Sequence, residues 1–187
     1  MRNVLILASG SGTNAENVIR FFENSKTARI SWLLSNNPQA LALQKAQNLG
    51  VNTMIFTKED FYVNGKVLNF LKEVQPDLII LAGFLWLIPE DVVKAFPGCI
   101  INIHPALLPN YGGKGMYGGR VHKAVIDNKE KQSGITIHFV NEKYDDGDII
   151  FQAYCDVSPD DTPESLALKI HDLEYEHFPK VIRRLLE

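Results

Sequence analysis

No apolar run in this sequence approaches the roughly 20 residues that a membrane-spanning helix requires. The run Val4–Ala8 near the start is too short for the apolar core of a secretory signal. Cysteine is scarce: Cys99 and Cys155 are the only two, both in apolar stretches. They read as buried free thiols of a reducing cytoplasm, not as a disulfide framework. Positive charge is not in excess, since 19 Lys and Arg stand against 22 Asp and Glu, for a net charge of -3. That balance argues against a nucleic-acid or membrane-surface binder. Repeats and low-complexity tracts are absent apart from one glycine-rich loop. The expectation is a single cytoplasmic domain over 1–187, monomer or homodimer, with small molecules as partners.

What is present is an alternation of apolar runs and helical patterns. Val4–Ala8, Ala28–Leu34, Asn52–Phe56, Asp77–Ala82 and Cys99–Ile103 read as strands. Asn14–Glu23, Ala40–Leu49 and Val63–Val74 read as helices between them, with Gly50 closing the second and Pro89 opening a further short one. This order predicts an α/β fold with a doubly wound, mostly parallel sheet, and Asp77–Ala82 is its most apolar and central strand. Beyond Leu107 the pattern changes. A loop rich in Gly and Pro covers Leu107–Gly119, and Val121–Asp127 is a short helix. Gly134–Val140 and Ile149–Cys155, joined by the polar turn Asn141–Asp148, predict an antiparallel C-terminal strand pair. Thr162 and Pro163 then open a long C-terminal helix.

Three motifs carry chemistry. Ser9-Gly-Ser-Gly-Thr-Asn14 joins the first strand to the first helix, where small residues let backbone N–H groups approach an anion. The third glycine of a dinucleotide fingerprint is replaced by Ala15, and Ser35-Asn-Asn-Pro38 offers no acid for a ribose. A monophosphate therefore fits better than a dinucleotide. Asn102 and His104, two apart on one strand, point the same way at its carboxyl end. An amide and an imidazole so placed suit oxyanion stabilisation and proton transfer, although a satisfied polar pair would look the same. Tyr144-Asp-Asp-Gly-Asp148 is open to two readings, an ordinary turn or a carboxylate that pairs with His104 and favours its protonated form. His122 and His138 with His104 match no compact zinc spacing, so no metal is expected. Gly112–Gly119 reads as either a mobile lid or a plain loop.

Taken with Leu33-Leu-Ser-Asn36, Leu81-Ala-Gly-Phe84, Asn102-Ile-His-Pro-Ala-Leu-Leu-Pro109, His138-Phe-Val140 and Asp145-Asp-Gly147, these segments resemble the phosphoribosylglycinamide formyltransferase family over nearly the whole chain. The resemblance implies a Rossmann-like fold and formyl transfer from 10-formyltetrahydrofolate to the amine of glycinamide ribonucleotide, in purine synthesis. It places Gly12, Thr13 and Asn14 on the acceptor's phosphate and Glu174 near its ribose. Asn102 and His104 would flank the formyl carbon, with Asp145 behind the histidine. Leu85, Trp86, Leu87 and Ile88, with Asn102, would line the folate site. Trp86 stands where the family often has arginine, and Thr57–Pro76 offers only Lys58 and Lys66 toward the folate tail. A sugar-nucleotide acceptor, or a non-catalytic folate- or nucleotide-binding module, are the alternatives. A transfer-RNA formyltransferase would need a further domain and more positive charge.

Overall fold

Strand β1 (Arg2–Leu7) has consecutive buried residues that alternate between two sides, as its pleat requires. Val4 and Ile6 pack into one core with the helix that follows, α1 (Thr13–Phe22), while Leu5 and Leu7 pack into another on the opposite face. The computed structural model describes residues 1–187. In order along the chain the elements after α1 are β2 (Ala28–Ser35), α2 (Leu41–Asn48), β3 (Asn52–Ile55), α3 (Lys58–Tyr62), α4 (Lys66–Val74), β4 (Leu78–Leu81), α5 (Glu90–Ala95) and β5 (Ile100–His104). They are followed by α6 (Gly119–Asp127), β6 (Gln132–Phe139), β7 (Ile149–Asp156) and α7 (Pro163–Leu186).

One seven-stranded sheet runs β3-β2-β1-β4-β5-β6-β7. The first five of these pair in parallel, and β5–β6 and β6–β7 are antiparallel. The strand expected to be central, β4, lies in the middle and is buried along its length. The strand order reverses between β1 and β4, growing outward to β2 and β3 on one side and to β5 on the other: α1 and α2 cover one face, and α3, α4 and α5 supply Phe61, Val67, Leu71 and Val92 to the other. Such a reversal opens a crevice at the carboxyl ends of the strands.

The expected helix over Val63–Val74 is α4, which starts three residues later, and a separate short helix, α3, precedes it. Thr57 and Asp60 form a reciprocal capping box that starts α3. Asn64 accepts the Lys66 N–H through its side chain, and Gly65 is left-handed, so the chain breaks before α4. Helix α7 carries Pro179 in its interior. The Tyr175 carbonyl, which a residue with an N–H at 179 would bond, receives the Asn17 side-chain amide of α1 at 3.0 Å instead. Both cysteines are free, and both are half-buried where the sequence suggested full burial. No helix is long and apolar enough to cross a membrane.

Close approach of β6 and β7 depends on Gly134. A Cβ there would lie 1.9 Å from the Ala153 carbonyl oxygen and 2.8 Å from Leu107 Cδ2. Gly134→Ala is expected to destabilise the protein by about 3 kcal/mol, the upper end for overpacking, because backbone must move. Urea unfolding followed by circular dichroism measures this, and an unchanged midpoint would contradict the packing described.

Candidate active site

The loop after β1 enters α1 through Gly12, which is left-handed (φ 69°) and caps the helix without a side-chain bond. The first-turn N–H groups of α1 therefore remain available, and they sit at the positive end of the helix. Gly10–Asn14 line a cavity of about 560 Å³. A Cβ on Gly12 would fall 2.4 Å from Ala42 Cα, so this glycine also lets the loop pack on α2. A larger residue at position 12 would disturb that packing as well as block an anion.

Asn14 is held to α7. Its Nδ2 donates to Glu174 Oε2 at 2.9 Å, and His171 Nδ1 approaches the same oxygen at 2.9 Å. Glu174 is buried, and its hydrogen bond pushes the His171 imidazole above its ordinary range, with burial opposing. The structure thus brings Gly12, Thr13, Asn14 and Glu174 to one wall of the cavity.

On the opposite side β5 delivers Asn102 and His104 side by side, as strand alternation predicts. Asp145 arrives from the β6–β7 turn in a left-handed conformation (φ 52°). Its Oδ2 accepts the Gly113 N–H at 2.9 Å and lies 3.5 Å from His104 Nδ1. Its Oδ1 accepts from Asn102 Nδ2 at 3.3 Å and lies 3.7 Å from His138 Nε2. The carboxylate reading of this turn is therefore the one the geometry supports. Burial pushes Asp145 up, but the neighbouring His138 and His104 rings and the Gly113 N–H together hold it below the usual carboxylate range.

His104 departs from expectation. Burial is the largest influence on it and lowers it below its ordinary value, although Asp145 and the Tyr111 carbonyl both pull upward. Burial thus works against the protonated ring that pairing with Asp145 would favour. Both ring nitrogens nevertheless face acceptors, Nε2 the Tyr111 carbonyl at 2.8 Å and Nδ1 the Asp145 carboxylate. A neutral imidazole satisfies only one of them, and a proton arriving on the ring satisfies both.

Asn102 is oriented by His138, to which the sequence analysis assigned no role. His138 Nδ1 donates to the Phe139 carbonyl at 2.8 Å, so Nε2 accepts from Asn102 Nδ2 at 3.1 Å. The amide's two hydrogens thus go to His138 and Asp145, and the Asp145 bond is the longer. Ser9 also escaped notice. Its hydroxyl donates to Asn36 Oδ1 at 2.7 Å and accepts the Leu85 N–H at 3.0 Å, tying the anion loop to the segment after β4. Thr136 on β6 donates to the Ala106 carbonyl and accepts the Leu108 N–H, fixing the loop after His104. A small hydroxyl residue beside or within an apolar run was the only signal available for either.

Leu85 lines the main cavity, while Trp86, Leu87 and Ile88 line a narrow crevice beside it. Trp86 packs against Phe56, Phe61, Tyr62 and Phe84, which makes this wall rigid. Asn102 and Asp145 line both spaces. The polar group therefore stands at the junction of an anion-lined chamber and an apolar slot.

A family model described as formyl transferase matches residues 2–182. The chain is 36% identical over its whole length to the chloroplastic phosphoribosylglycinamide formyltransferase of Arabidopsis thaliana, and spans 66% of that protein. It is 32% identical to the phosphoribosylglycinamide formyltransferase of Bacillus subtilis, covering all of this chain and 95% of that one. The crystal structure of glycinamide ribonucleotide transformylase 1 from Geobacillus kaustophilus superposes with a TM-score of 0.91 at 32% identity, covering both chains completely. With this sheet order and this convergence of Asn102, His104 and Asp145, the chain belongs to the formyl transferase family, among the phosphoribosylglycinamide formyltransferases.

Proposed function

We propose that this protein moves the formyl group of 10-formyltetrahydrofolate onto the amine of glycinamide ribonucleotide. One observation carries the reading: Asn102 and Asp145 border both the anion-lined chamber and the apolar slot. An acceptor anchored by phosphate at Gly12, Thr13 and Asn14 extends from there past Glu174 toward His104. The folate ring enters the slot along Leu85, Trp86, Leu87 and Ile88, beside Asn102. The slot's aromatic and aliphatic wall suits a flat heterocycle, and the site needs no metal for the chemistry that follows.

The acceptor's neutral amine forms a bond to the formyl carbon. His104 takes the amine's surplus proton, and the imidazolium so formed is held by Tyr111 O and Asp145. Asn102 Nδ2 donates to the developing oxyanion, which replaces Asp145 as acceptor of the longer of its two bonds, and the positive charge of the imidazolium stabilises it from nearby. As the bond to the folate nitrogen breaks, the proton passes from His104 to the departing nitrogen. The Gly113–Gly118 loop lines the chamber beside these groups.

Purified protein with 10-formyltetrahydrofolate is expected to formylate glycinamide ribonucleotide. Turnover with an amino-sugar nucleotide alone would keep the donor and discard the acceptor.

His104→Ala should lower the single-turnover rate on the order of 10²–10⁴, the range for lost acid–base catalysis. Asp145→Asn should cost nearly as much, and the double variant little more than either, because the two act as a unit. Multiplicative losses would separate Asp145 from His104.

The pH profile follows from the lowered His104. Proton uptake needs the neutral ring, so the rate should fall on acidification with a midpoint below about 6.5, the unperturbed histidine value. Asp145 is ionised throughout that range. Asparagine at 145 removes an influence that raises His104, so the acid limb should move to still lower pH. Movement in the other direction would contradict the pairing.

A further inference from the structure

One buried titratable group on the chamber wall has no part in the chemistry above. His122, in the middle of α6, is only 4% exposed, yet it lines the chamber. Its Nδ1 is buried and meets no hydrogen-bond partner, and none of the protein's hydrogen bonds reaches the ring. Only four buried side-chain polar atoms in the chain are left without a partner, and a second of them is Asn14 Oδ1 on the same wall. The other two, on Asn3 and Ser133, do not line the chamber. A buried polar atom without a partner costs free energy, and both of these residues line the chamber, where a ligand can supply the missing bonds.

The groups that act on His122 by charge place it along the chamber. They are Glu174 and His171 from α7 and His104 from β5. His122 therefore lines the same chamber as the carboxylate expected at the acceptor's ribose and the histidine at the reacting carbon, within reach of the charge of both. Burial lowers the ring below its ordinary range, with Glu174 opposing, and a neutral imidazole offers one donor and one acceptor. That pair matches an amide or a hydroxyl and does not match a phosphate.

We infer that His122 is an acceptor-binding residue whose imidazole hydrogen-bonds the amide-and-hydroxyl segment between the acceptor's phosphate and its reactive amine. The inference rests on the proposed function and names a contact within it. The test replaces His122 by Phe, which keeps a ring of similar shape and removes both nitrogens. Calorimetric titration with glycinamide ribonucleotide should show about tenfold weaker binding, the loss of roughly one hydrogen bond. A folate analogue should bind within about twofold of the parent, and thermal stability should hold or rise because an unpaired polar group is gone. A histidine that only fills the core would give the reverse, unchanged acceptor binding. A second measurement needs no variant: the ring nitrogen signals of His122 in ¹⁵N-labelled protein should shift when glycinamide ribonucleotide is added. Parent protein that binds this acceptor with no change at His122, in either experiment, overturns the inference alone. Parent protein that binds folate and no glycinamide ribonucleotide overturns the acceptor assignment and the inference with it.

Discussion

The Asp145 carboxylate is the constraint on which the site depends. A charge taken out of water must be met by donors, or the group gives up its charge. Here the donors come from separate parts of the chain: the Gly113 N–H of the long loop and the Asn102 amide of β5, with the His104 and His138 rings of β5 and β6 close by. Satisfying one carboxylate therefore draws the loop, the two strands and the β6–β7 turn to a single point. The left-handed backbone at Asp145 is tolerated because a short acidic side chain accepts that conformation better than most.

The sheet makes this convergence possible. Parallel strands β1, β4 and β5 all release their loops at one edge, and the reversal between β1 and β4 separates the anion loop from the segment after β4. Ser9, in that loop, ties it to both neighbours with one hydroxyl that accepts the Leu85 N–H after β4 and donates to Asn36 after β2. The switch to antiparallel pairing at β6 then brings His138 opposite Asn102 in register. A parallel sixth strand would have required a crossover and would have put that histidine elsewhere.

Much of this was legible in the residues. The doubly wound order, the central β4, the antiparallel pair and the Thr162–Pro163 start of α7 follow from apolar runs and capping residues, which are local signals. The facing of Asn102 and His104 follows from strand period alone. Helix α3 was missed and α4 was started three residues early, because apolar spacing at Val63 runs on while Asn64 and Gly65 set the start of α4 through backbone geometry. His138 was given no role because its partner is 36 residues away. Pairing of His104 with a carboxylate can be guessed from sequence, whereas depth of burial cannot.

The sequence by itself determined the element order, the anion-binding turn and the two residues on β5, since each depends on neighbours within a few positions. Tertiary structure alone decided which reading of the Asp145 turn holds, how Asn102 is oriented and which buried atoms lack partners. Those depend on contacts between residues far apart in the chain. The balance of burial against charge at His104 is of the same kind, because desolvation is a property of the whole fold around a group and of no single stretch of residues.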